Sequence, residues 1–245
     1  LASVCETHLS DYARAVECYQ NVLGADRHHD ALDSAYKLLQ KLASMDDEHV
    51  VEYRASLCEL LEPIYIDAKN LTGLIDVLRI RLADASDNYD RIELNRRIAG
   101  ILRDELQDNQ GAFEAVKSAL RIDLSDEALR HDFETLAISL GNPQAIIELY
   151  ETGIADVDDD VLKHEIYRRM ASVYEEELHD TDKAIQAYRA MIELDDMDKS
   201  SLNALEVLYT NTQNWEELLD ILKRKADIGT GDEKVDILRK MATIN

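Results

Sequence analysis

Three basic doublets, Arg96–Arg97, Arg168–Arg169 and Arg239–Lys240, lie 72 and then 71 residues apart. An arginine side chain is a planar fork that stays charged and can hold a carboxylate through two parallel hydrogen bonds. Doublets in one phase therefore have two uses. They can capture an acidic ligand at regular intervals, or they can bridge the chain's own carboxylates from one helix to the next. Those carboxylates are plentiful, with 51 Asp and Glu against 27 Lys and Arg and a formal charge of −24. Recurrence alone does not separate the two uses, because a structural bridge would recur as well.

Other chemistry is thinly represented. The chain has no GxSxG, GxGxxG or HExxH motif and no Gly-rich phosphate loop, so no catalytic residue is expected. The seven histidines are scattered; His28–His29–Asp30 reads as a solvated helix start, because residues one apart do not share a helix face. Asp156, Asp158, Asp159 and Asp160 approach a calcium loop, but Val161 stands where the turn needs Gly and no Glu closes the loop. Neither a metal nor a cofactor is expected. Cys5, Cys18 and Cys58 are odd in number and lack CxxC spacing, which points to small core residues in a reducing, cytoplasmic compartment. The net charge opposes nucleic acid and anionic lipid, and no stretch reaches the ~18 apolar residues of a membrane span.

The elements that position the doublets come from internal repetition. Shifted by 72 residues, Glu165–Asp195 aligns with Glu93–Asp123 with 10 of 31 positions identical. Shifted by 144, Leu205–Leu222 aligns with Leu61–Leu78 with seven of 18 identical, Glu206 and Tyr209 among them. The N-terminus, Leu1–Asp26, fits Met170–Asp195 at a shift of 169, so the first copy carries about 25 extra residues. Approximate double repeats follow at 1–88, 89–160 and 161–232, with another starting at 233–245 and an irregular stretch at 27–57.

Within one copy the apolar residues fall at helical spacing. Ile166, Met170, Val173 and Tyr174 form one stripe, and Ala184, Ile185, Tyr188, Met191 and Ile192 a second. Thr181 or Asp182 can cap the second of these helices. Lys199–Tyr209 and Trp215–Asp227 give a third and a fourth helix. Each copy is thus two helical hairpins. Gly and Pro total only ten residues, and no alternating strand pattern of useful length occurs, so the expected class is all-α.

This pattern resembles the tetratricopeptide repeat. One unit reads Tyr167, Met170, Ala171, Tyr174, Ala184, Tyr188 and Met191; the next reads Leu202, Leu205, Tyr209, Leu218, Leu222 and Lys225. Others read Ile98, Ala99, Leu102, Ala112, Val116, Ala119, and Phe133, Ala137, Ile146, Tyr150, Gly153. The family's Pro at the end of the second helix is replaced by Asp195–Asp196 and Asp123–Leu124, the second hairpin of each copy lacks most small residues, and loops such as Glu177–Asp182 look one residue too long.

The resemblance implies a single domain over 1–245, a right-handed α-solenoid of stacked antiparallel hairpins with a concave face for a peptide or protein. It points Arg96, Arg168 and Arg239 into that groove, with Arg97, Arg169 and Lys240 beside them, and suggests an acidic segment or C-terminal carboxylate as ligand. The function expected is that of a non-enzymatic interaction scaffold. The alternative is the non-catalytic helical portion of a larger enzyme or signalling protein. Both ends fall inside a repeat, so a piece of a longer array is expected.

Overall fold

In the computed structural model of the chain, the described residues are 11–25 and 29–244, with Ala2 and Cys5. The positions of His8, His28 and much of the Leu1–Asp26 alignment lie outside them. The described residues form thirteen α-helices and no strand, divided into two compact units, 1–123 and 124–245.

The first unit contains α1 (Tyr12–Ala25), α2 (His29–Ala43), α3 (Val51–Asp67), α4 (Leu71–Asp84), α5 (Asn88–Gly100) and α6 (Asn109–Leu120). Helices α3 and α4 pack as one antiparallel hairpin, α5 and α6 as the next. The irregular stretch has a simple origin: α2 is the extra segment of the first copy. It contacts α1 and α3, which also contact each other. Buried Arg54 of α3 locks it in place, donating to Asp84 at 2.8 Å and 2.6 Å and to the carbonyls of Leu42 and Met45 at the end of α2.

The second unit contains α7 (Glu127–Ser139), α8 (Gln144–Gly153), α9 (Asp160–Glu176), α10 (Thr181–Leu194), α11 (Lys199–Asn211), α12 (Trp215–Ile228) and α13 (Gly231–Ile244). Hairpins α7–α8, α9–α10 and α11–α12 succeed one another, and α13 packs on α12. Tyr150, Tyr174 and Tyr209 are buried, and so are Tyr19 and Tyr65 of the first unit, so the signature aromatics serve the core. Ala15, Ala112 and Ala184, at matching positions of three second helices, have no exposed surface, as close helix approach requires.

The turn inside each hairpin repeats in detail. Lys69, Gly141 and Gln213 share positive φ, as do Gln107 and His179, all at one point of the repeat. Each residue reverses the chain in the left-handed conformation, where only Gly141 escapes the penalty of a Cβ. Asn70, Asp108 and Asp180 follow directly and accept the backbone N–H three residues on. The cap of α10 is therefore Asp180, not the expected Thr181 or Asp182, because left-handed His179 swings Asp180 into place. The surplus loop residue is absorbed as helix: Ile101–Glu105 forms a π-helical turn after α5. At the matching point of α9, Leu178 N–H reaches back five residues to the Val173 carbonyl.

First helices also start alike. Asp87 and Asp159 cap α5 and α9, and Asp126 and Asp198 cap α7 and α11, each accepting a backbone N–H. Much of the acidic surplus between helices thus faces the positive ends of helix dipoles.

Candidate functional site

All six residues of the basic doublets lie on first helices, α5 for Arg96–Arg97, α9 for Arg168–Arg169 and α13 for Arg239–Lys240. The two members of each doublet do different things. A helix turns about 100° per residue, so adjacent side chains meet different surroundings.

The second member reaches back to the preceding hairpin. Arg97 donates to Glu62 of α3 at 2.7 Å, Arg169 to Glu134 of α7 at 2.9 Å, and Lys240 to Glu206 of α11 at 2.6 Å. The three glutamates are themselves 72 residues apart. Each takes a further partner: Arg81 for Glu62, Lys225 for Glu206, and the Tyr150 hydroxyl for Glu134. The change in the middle copy has a visible cause, since position 153, matching Arg81 and Lys225, is Gly. Burial opposes ionisation of Glu62 and Glu206, but their cationic partners outweigh it and hold both carboxyls below the usual range. Burial first, and Glu134 after it, pushes the Tyr150 hydroxyl far above its ordinary value, so it stays a proton donor.

The first member stays at the surface. Arg96, Arg168 and Arg239 have side chains 42%, 60% and 75% exposed. Each lies near the acid one turn earlier on its own helix, Glu93 at 3.2 Å, Glu165 at 3.9 Å and Asp236 at 3.0 Å. Glu165 also takes buried Arg130 of α7 at 3.2 Å.

Sequence reasoning found the doublets but missed their glutamates. The signal was present: Glu206 and Glu62 match at the 144-residue shift, and Glu134 lies midway between them. It also missed His164 of α9, 3.0 Å from the Asp198 cap of α11. Trp215 opens α12 and is 48% exposed. Burial pushes the Cys58 thiol up to about 12; it is protonated at neutral pH, whereas a nucleophile must be a thiolate.

Stacked hairpins joined by a recurring ion pair define a helical-repeat protein, an architecture that suggests a protein-interaction scaffold. Residues 201–235, from α11 through α12 into the first turn of α13, match the tetratricopeptide repeat family model. That match supports the tetratricopeptide repeat assignment. It falls on a hairpin poor in small residues, where Leu202, Leu205, Tyr209, Leu218 and Leu222 nevertheless fill the signature positions and are buried. No curated protein matches the chain. No helix among the described residues is long and apolar enough to cross a membrane.

Proposed function

We propose that the chain is a non-enzymatic protein–protein interaction scaffold that holds a peptide or protein segment against its first helices. Arg168 and Arg239 make the contacts in the second unit, and Arg96 offers an equivalent one in the first. The observation that carries this reading is the division of labour within the doublets. Arg97, Arg169 and Lys240 are engaged between hairpins and set the spacing of the surface. Among the described residues Arg168 and Arg239 meet weak intrahelical pairs, worth about 0.5 kcal/mol or less at exposed sites. A ligand carboxylate can replace such a pair with little loss and gain a bidentate contact. The ligand is accordingly an acidic segment or a C-terminal carboxylate.

Titration of a fluorescein-labelled Asp- and Glu-rich peptide with a free C-terminus tests this. Arg168→Glu with Arg239→Glu should weaken binding about tenfold, roughly 1.4 kcal/mol, and raising salt should weaken the wild type. Equal affinity of the double variant and the wild type would exclude these arginines from the contact.

A further inference from the structure

The second unit has a cleft of about 530 Å³ on its second helices, between α10 and α12 and floored by Tyr209 of α11. Tyr209 is 2% exposed, and its hydroxyl is the one buried side-chain polar atom among the described residues without a hydrogen-bond partner. Three other tyrosine hydroxyls are taken by the protein itself, Tyr36 by Asp76, Tyr150 by Glu134 and Tyr174 by Glu151. A buried phenol left without a partner is costly, and such groups are normally satisfied.

Tyr209 packs in the apolar core of the second unit, and one surface cation lies over its ring. The guanidinium of Arg189, an exposed residue of α10, lies 5.9 Å from the ring centroid, so the ring already accepts a cation on its face. Around it the cleft carries four carboxylates, Glu193, Glu216, Glu217 and Asp220, against the cations Arg189, Lys223 and Arg224. Asp220 is paired with Arg224, but Glu193, Glu216 and Glu217 hold no ion pair among the described residues, and Lys223 is the remaining cation.

We propose that this cleft binds an arginine side chain of a partner protein, which displaces Arg189 from the Tyr209 ring. The incoming guanidinium stacks on the ring and donates to Glu193 and Glu217, and the Tyr209 hydroxyl donates its proton to a main-chain carbonyl of the same segment. Arginine suits the site better than lysine because its plane stacks on the ring while its edge reaches the carboxylates. The net charge of the chain, −24, favours the approach of a basic segment. This site opens between second helices and takes the opposite charge from the ligand proposed for Arg168 and Arg239, so the two readings stand or fall separately.

The test is fluorescence anisotropy of the intact protein with a labelled hexapeptide of alternating Gly and Arg, and with its Gly–Lys and Gly–Glu counterparts. The Gly–Arg peptide should bind tightest. Tyr209→Phe should weaken it about fivefold, the value of one hydrogen bond, without lowering the melting temperature. Glu193→Gln with Glu217→Gln should weaken it further, whereas Asp156→Asn with Asp158→Asn, an equal loss of charge at exposed loop positions, should change it less than about twofold. Arg189→Ala, by removing the occupant of the ring, should tighten it about threefold or more. Equal weakening by the two charge-removing pairs would show non-specific attraction to an acidic protein and overturn the site. So would a Gly–Glu peptide binding tighter, or a Tyr209→Phe variant that binds as the wild type does.

Discussion

Replacing Glu134 with Ala should destabilise the second unit by about 3 kcal/mol, the lower end for breaking a buried ion pair. The value is set by what is left behind. Tyr150 has no exposed surface, and its hydroxyl would lose its only acceptor among the described contacts; a buried donor without a partner costs about 1–3 kcal/mol. Arg169 would lose both of its hydrogen bonds to the carboxylate, although its side chain is 38% exposed and water recovers part of that loss. Glu134→Gln keeps an acceptor for Tyr150 and should cost roughly half as much. Glu206→Ala, at the matching position, should cost less than Glu134→Ala, because Lys240 is 60% exposed and Lys225, 14% exposed, keeps Asn203 as an acceptor. Trp215 is the single tryptophan of the chain and lies in the second unit, so urea unfolding followed by its fluorescence reads the relevant transition. A loss below about 1 kcal/mol for Glu134→Ala would mean that the strut between α7 and α9 does not hold the hairpins together.

The second large effect is on acid stability. Asp198 caps α11, and although burial disfavours its charge, hydrogen bonds from Ser200, Ser201 and His164 outweigh that and lower its carboxyl to about 2, from an ordinary 3.8. A carboxyl depressed on folding stabilises the protein above its unfolded value and loses that contribution as pH falls through the folded one. Asp198 should therefore supply about 2 kcal/mol at pH 5 and almost nothing at pH 2. Its side chain is only 11% exposed, so solvent screening removes little of this. Asp198→Asn keeps an acceptor for the cap but has no proton to lose. The stability difference between wild type and variant should close between pH 4 and pH 2. A difference independent of pH would show that the cap acts through hydrogen bonding alone. Glu62 and Glu206 are depressed in the same direction, so the wild type should lose more in acid than the share of Asp198.

Periodicity made the fold legible. Apolar spacing placed α11 and α12 within about two residues at their ends, because an amphipathic helix must show its stripe to be buried. Less legible was whatever depends on a single backbone angle. Nothing in the composition of Gln107, His179 or Gln213 marks them as left-handed, and that conformation decides that Asp180, not Thr181, caps α10. Helix α2 was hidden for a different reason. It has no counterpart in the other copies, so alignment could measure its length but not its role. In the candidate site, spacing found the six basic residues and could not divide them. That division depends on which neighbour meets a preceding hairpin, a matter of packing around the helix rather than of sequence distance.

The most direct test compares the two members of one doublet. Arg168→Glu and Arg169→Glu make the same change of charge one residue apart, and both proteins can be titrated with the acidic peptide and unfolded in urea with Trp215 as probe. The account predicts that Arg168→Glu weakens binding several-fold, about 1 kcal/mol, and leaves the unfolding midpoint where it was. Arg169→Glu, which sets a second carboxylate against Glu134, should lower the midpoint. Two variants that behave alike, or an Arg168→Glu protein that binds the peptide as the wild type does, would contradict the assignment of binding to one member and bracing to the other.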